Sequence, residues 1–271
     1  MYATDFEYDG KYLNDLGYII CMFNDDGKMN TDSKGSEITF TKAPVDSGKR
    51  HRLNGTKYDE CLTATFHICK DPEIFDEDMR EITRDDFRTL SRWLNRREFC
   101  KFRALVADEE YVPMPFFYAS FNLGKIKIGD VTMGVELQME TNAPFGYAID
   151  RWTTYHFEGG DTKVYVDGSD EPGNTYPQME ITVEEAGTLT LSNAKTGCEM
   201  VIENCTAGEK ITLSGDTMII ETSDDSHDIA NDFNYDFFSV GNTFGDSRND
   251  ITASIACTVS LGYEAIVKDT I

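Results

Sequence analysis

The feature that most constrains this chain is its two-residue periodicity. In Leu62–Ile68, Leu62, Ala64, Phe66 and Ile68 fall on one side and Thr63, Thr65 and His67 on the other. In Met133–Thr141, Met133, Val135, Leu137 and Met139 alternate with Gly134, Glu136, Gln138 and Glu140. Successive strand side chains point to opposite faces, so such runs are strands with one buried face. Beyond residue 149 the same texture shortens: Val164–Val166, Gln178–Val183, Thr188–Ser192, Glu199–Ile202, Lys210–Leu213, Met218–Glu221, Tyr235–Val240 and Asp250–Leu261 are separated by Gly, Asn and Asp. Short strands at this spacing predict a β-sandwich of roughly 120 residues.

The period changes once. Thr83-Arg-Asp-Asp86 has the form of a capping box, and Phe87, Leu90 and Leu94 follow at helical spacing with Trp93 beside them. The spacing predicts an amphipathic helix over 84–96 that packs on a sheet. Strands are also expected at Phe6–Gly10, Tyr18–Phe23, Glu37–Thr41, Phe102–Ala107, Tyr111–Asn122 and Lys125–Ile128, with turns at Asn14-Asp15, Asn24–Gly27 and Asp108–Glu110. Residues 44–52 read as a polar loop. Asn142–Tyr147, with Pro144 and Gly146, terminates the last strand of the first half. The expected fold is mainly β: a β-rich domain with one packed helix over 1–148, then a β-sandwich over 149–271.

Charge separates the halves and limits partners. The 271 residues carry a formal charge of -24. Residues 1–150 hold 19 basic and 27 acidic groups, and residues 151–271 hold 6 and 22. That balance disfavours nucleic acid and anionic membrane, where phosphates must be neutralised. No apolar run reaches the roughly 20 residues that span a bilayer. The acidic start Met1–Asp5 is unlike a signal peptide, so synthesis in a cytoplasm is expected.

No residue set announces catalysis. His51, His67, His156 and His227 show no metal-binding spacing, and there is no nucleophile elbow or P-loop. Cys21, Cys61, Cys69, Cys100, Cys198, Cys205 and Cys257 form no C-x-x-C pair and read as free thiols, with Cys198 and Cys205 placed to approach across a hairpin. A glycosidase needs only two carboxylates at a set separation, but among 49 acidic residues such neighbours arise by chance. The loops Asp167–Glu171 and Asp224–Asp228 offer oxygen ligands to Ca²⁺, yet neither has the EF-hand spacing and both read as surface turns. Trp152, Tyr155 and Phe157 read as packing residues rather than a sugar platform. Arg84, Arg88, Arg92, Arg96, Arg97, Lys101 and Arg103 read as a solvated helix face or as a charge-complementary seam between neighbouring subunits. The sequence thus points to no catalytic, cofactor or metal residues and singles out no binding residue.

The order of these features resembles the distal tail protein family of long, non-contractile-tailed phages. The matching parts are the start with Phe6, Gly10 and Leu16-Gly17-Tyr18, the strand ending at Ile68, and the helix with Trp93-Leu94. Next come the turn at Asp108–Tyr111 and the strand Gly134–Thr141 into Asn142-Ala-Pro-Phe145. Gly173–Pro177 before Met179-Glu-Ile181, Glu199–Glu203, Gly208–Leu213 and Phe237–Asn242 complete the order. The acidic loop at 224–228 and the cysteine content depart from the family pattern. The resemblance implies a ring, usually a hexamer, formed through the amino-terminal domains. That ring joins the tail tube protein to a tail-tip or tail-associated lysin protein at the virion tail tip. It further implies a galectin-like or carbohydrate-binding-module-like carboxy-terminal sandwich that contacts receptor-binding proteins. The alternatives are an adhesin module that recognises host cell-wall glycans and, more weakly, a wall-degrading enzyme.

Overall fold

The computed structural model describes residues 3–21, 37–106, 115–148 and 152–269. It divides into two compact units, residues 1–148 with 267–271 and residues 149–266. The turns expected at Asn24–Gly27 and Asp108–Glu110 lie outside the described residues.

Unit 1 is built on a seven-stranded antiparallel sheet. Its order is Lys11–Tyr12, Ala3–Tyr8, Cys100–Val106, Phe117–Ile128, Val131–Thr141, Thr63–Lys70 and Tyr18–Cys21. The two alternating runs that dominate the sequence sit side by side, with Phe66 opposite Leu137 and Ala64 opposite Met139. The sheet curls. Its first and last strands approach through Leu13, whose N–H donates to the Phe6 carbonyl at 3.0 Å and whose carbonyl accepts from the Tyr18 N–H at 3.4 Å. Gly17 makes that turn possible, at φ 78°, with the Phe75 ring where a Cβ would stand.

The helix α1, Arg84–Leu94, lies against this sheet. Its N-terminus is closed as the sequence predicts: the Asp86 N–H donates to Thr83 Oγ1 at 3.2 Å, and the Thr83 N–H to Asp86 Oδ2 at 2.9 Å. Leu90, Trp93 and Leu94 are buried, while Phe87 is half-buried under Lys125 Nζ, 4.7 Å away. The core is aromatic. Phe6 stacks on Trp93 at 5.7 Å and meets Phe66, Phe102 and Phe121 within 6.3 Å, and the Trp93 indole N–H donates to the Tyr8 carbonyl at 3.0 Å.

Unit 2 is a β-sandwich. One sheet orders Thr153–Glu158, Ala256–Gly262, Gln178–Val183, Lys210–Ser214 and Ile219–Thr222; the other orders Thr162–Val166, Arg248–Ala253, Gly187–Asn193 and Cys198–Cys205. Inward-facing Phe157, Met179, Ile181, Leu189, Leu191, Met200, Ile251 and Val259 fill the space between them.

Several expectations are corrected. Residues 44–52 are not a loop: Ile38–Val45 and Arg50–Tyr58 form a two-stranded ribbon, turned by a 3₁₀ segment at Asp46–Gly48. Of the expected 235–240 strand only Val240 lies in a ladder, as the first residue of the strand Val240–Asn242. Before it, Asn234 and Asp236 side chains bond the backbone of Val201 and Glu199 in place of a strand partner. The expected Asp250–Leu261 strand is two, Arg248–Ala253 and Ala256–Gly262. Cys198 and Cys205 do not face across a hairpin but cap opposite ends of one strand, about 23 Å apart at strand rise. All seven cysteines are free thiols.

Candidate assembly surface

The ribbon at 38–58 is exposed along most of both its strands. Its register pairs Ile38 with Tyr58, Phe40 with Thr56 and, past a bulge, Lys42 with Leu53. Those residues share a face, because side chains alternate along a strand. The opposite face pairs Thr39 with Lys57, Ala43 with Arg52 and Val45 with Arg50. One face therefore carries Ile38, Phe40 and Leu53, which are 43%, 52% and 54% exposed, with Lys42 among them. The other carries Arg50, Arg52 and Lys57 beside Thr39, Ala43 and Val45.

Over 38–58 there are five Lys or Arg side chains, at 42, 49, 50, 52 and 57, against the single carboxylate of Asp46. This net positive element belongs to a chain of charge -24. Little within the ribbon neutralises it. Asp46 stands 4.0 Å from Arg50 at the tip, and Asp59 stands 3.5 Å from Lys57 at the base, where it also accepts from the Thr39 hydroxyl. A two-stranded ribbon is marginal in water without something to pack on. This one presents an apolar face and a basic face at once.

The helix-proximal cations separate into two groups. Arg96 is committed within the chain: its guanidinium reaches Asp9 at 2.9 Å and its Nε donates to the Trp93 carbonyl at 3.1 Å. Arg103 pairs with Glu7 at 2.6 Å on the neighbouring strand, and Lys101 Nζ lies 4.3 Å from the Phe116 ring centre. Arg84, Arg88, Arg92 and Arg97 are exposed. Arg96 therefore has an intrachain partner, so reversing its charge would also break the pair with Asp9.

The histidines occupy four separate settings. His51 lies on the exposed ribbon; His67 faces Glu136 at 3.6 Å; His156 is exposed, 3.2 Å from Glu184. His227 is the exception, with its side chain 2% exposed between Glu209 Oε1 at 2.6 Å and Asp232 Oδ2 at 3.3 Å. Glu209, itself buried, also accepts from the Thr206 N–H at 2.9 Å and from the Thr222 hydroxyl. Burial would lower the His227 pKa, but the Glu209 hydrogen bond and the charges of Glu209 and Asp232 outweigh it and raise it. Burial likewise opposes ionisation of Glu209, yet its bonds to Thr222, Thr206 and His227 hold its carboxyl below the usual range. The acidic loop 224–228 thus closes over an internal ion triad, and sequence gave no signal for it beyond one histidine among aspartates.

In the loop 167–171, Asp167 turns inward, where it accepts from the Ser169 N–H at 2.8 Å and from the Tyr263 hydroxyl. Among the described residues no three His, Cys, Asp or Glu side chains gather as a metal site. Phe157 is core and Tyr155 packs against it, whereas Trp152 is 49% exposed.

Two β-rich units, the first carrying an exposed two-stranded ribbon, define a mainly β class of protein. The sequence agrees with that class. Residues 1–143 match the family described as phage tail protein N-terminal domain, and residues 145–263 match the phage tail C-terminal domain. The chain belongs to this phage tail protein family. No curated protein matches it. Among solved structures it is similar to the Dit protein (gp 19.1) of SPP1, described as a paradigm of the hub adsorption apparatus in phages infecting Gram-positive bacteria. That match has a TM-score of 0.63 at 11% identity, and covers 97% of this chain and 99% of the other. At that identity the likeness is one of fold.

Proposed function

We propose that this phage tail protein is a distal tail hub: a closed ring, six subunits in the family's usual form, assembled through unit 1. The ring joins the tail tube protein on one side to a tail-tip or tail-associated lysin protein on the other, and unit 2 serves the receptor-binding machinery. The role is structural, not enzymatic. The observation that carries this reading is the ribbon at 38–58. Its basic face fits the acidic surface of a second copy, and its apolar face gives the contact a core.

Such a contact is heterologous, ribbon to a different patch on the next subunit, which is the geometry that closes rings. Negative-stain images of the purified full chain test it. Rings with an open channel, which stack end-on with added tail tube protein, are expected. Compact particles without a channel, with or without that partner, would overturn the proposal.

A further inference from the structure

The strand Tyr18–Cys21 is the last in the order of the seven-stranded sheet, held by its ladder to Thr63–Lys70. In that ladder Ile19 stands opposite Cys69, and Cys21 opposite His67. Directly opposed side chains share a face, and so do residues two apart on one strand. Cys21 and Cys69 therefore lie on one face, diagonal to each other. Ile20 and Ile68 point the other way, into the aromatic core, so the two thiols sit on the outer face of the sheet, both half-buried.

The two side chains have already converged. The Cys21 S–H donates to the Cys69 sulfur, so the sulfurs are in contact. That bond divides their roles. It holds the Cys69 thiol below its ordinary range, against burial and the Asp71 carboxylate, and it raises the Cys21 thiol, as burial does too. A diagonal pair is spaced wider than an opposed one, and a disulfide needs its Cα atoms within about 7 Å. Among the described residues the Tyr18–Cys21 strand has one ladder neighbour, so its end can move inward without breaking a second ladder. Elsewhere burial keeps thiols inert: it pushes Cys205 up to about 11 and Cys257 up to about 12.

We propose that Cys21 and Cys69 are a redox-sensitive pair, closed to a disulfide by a small-molecule disulfide such as glutathione disulfide, and that the bond staples the edge strand to the sheet. Cys69 releases its proton to solvent and, as thiolate, attacks one sulfur of the oxidant. A Cys69–glutathione bond forms and one glutathione leaves as thiolate. The Cys21 S–H has then lost the anion it was bonded to, and gives its proton to that leaving thiolate. The Cys21 sulfur attacks the Cys69 sulfur and displaces the second glutathione, which takes a proton from solvent. In sum two thiols become one disulfide, two electrons pass to the oxidant, and two glutathione thiols are released. A reducing compartment holds the pair open, and an oxidising medium closes it. The pair lies wholly within unit 1 and does not depend on ring formation.

The test uses the full-length chain carrying Cys61→Ser, which removes the exposed thiol that shares a tryptic peptide with Cys69. The folded protein is incubated with glutathione disulfide at about pH 8, where thiolates form. Remaining thiols are then alkylated and disulfides mapped by mass spectrometry. A peptide linking Cys21 to Cys69 is expected, with two fewer alkylated thiols than in the reduced protein, and dithiothreitol should restore both. With Cys21→Ser added, Cys69 should stop at the mixed disulfide and keep one glutathione. With Cys69→Ser added, Cys21 should take up glutathione at least tenfold more slowly. The oxidised chain should melt about 5 °C or more above the reduced one, because the cross-link limits the unfolded chain. Absence of the Cys21–Cys69 peptide, or faster capture of glutathione by Cys21 than by Cys69, would overturn the proposal. So would equal melting of the two forms, which would mark a bond that staples nothing.

Discussion

Replacing Phe40 and Leu53 by glutamate should separate assembly from folding. Each side chain is just over half exposed, so the rest of its surface is already covered and a neighbour can cover the remainder. Burying a whole Phe or Leu side chain contributes about 1.5–3 kcal/mol, and half of that is about 1–1.5 kcal/mol each. The pair would then supply about 2–3 kcal/mol per seam. At about 1.4 kcal/mol per tenfold, the double variant weakens each seam about 30- to 150-fold. Carboxylates stranded at the contact make this a lower bound. A closed ring has as many seams as subunits, so the losses compound. Sedimentation velocity across a concentration series reads the effect, and thermal melting serves as the control. The monomer should melt within about 0.5 kcal/mol of the parent, as exposed substitutions do. An assembly with unchanged concentration dependence would refute the assignment of the ribbon as the seam.

Other outcomes follow from the same structure. Raising salt from 0.05 to about 1 M should loosen the assembly, because the Debye length falls well below the spacing of exposed charges; tightening with salt would contradict a basic-to-acidic seam. The His227–Glu209 pair gives unit 2 a pH window. The His227 pKa is raised on folding, so its contribution is full below about 6.5 and is lost as pH rises through the folded value. The Glu209 pKa is lowered, so its contribution is present above about 4.5 and is lost as pH falls through the folded value. Stability of unit 2 should therefore peak near pH 5–6. His227→Ala, which strands a buried carboxylate just beneath the surface, should cost about 2–3 kcal/mol by urea titration; a loss under 0.5 kcal/mol would contradict it. Thr83→Ala should remove about 1 kcal/mol through the lost cap. Exposed Cys61 should react with a thiol reagent first, with buried Cys198, Cys205 and Cys257 following only on unfolding.

What sequence disclosed depended on whether an element has two unlike faces with one of them buried. The strands ending at Ile68 and Thr141, the capping box at Thr83 and the inward rows of the sandwich all show a clean period, and the structure has them with bounds shifted by a residue or two. The ribbon was half missed because both its faces are solvated in the single chain. Its alternation is apolar against basic, and Pro44 and Asp46–Gly48 mask it at the tip. The 235–239 segment reads as strand from Tyr235, Phe237, Phe238 and Val240, but the neighbouring strand's Val201 and Glu199 N–H groups donate to the Asn234 and Asp236 side chains instead of to a strand ladder, which no periodicity reports. Register was equally silent. Nothing in the sequence brings Cys21 beside Cys69, because that relation arises between segments far apart in the chain.

The ring itself is tested most directly by the mass of the particle that the purified chain forms. Size-exclusion chromatography with multi-angle light scattering, at protein concentrations from 1 to about 100 μM, should show a species near six times the 30.6 kDa protomer at the upper end. In the Phe40/Leu53 double variant that species should give way to the single protomer. A parent chain that stays at one protomer mass throughout, alone and with tail tube protein present, would contradict the account.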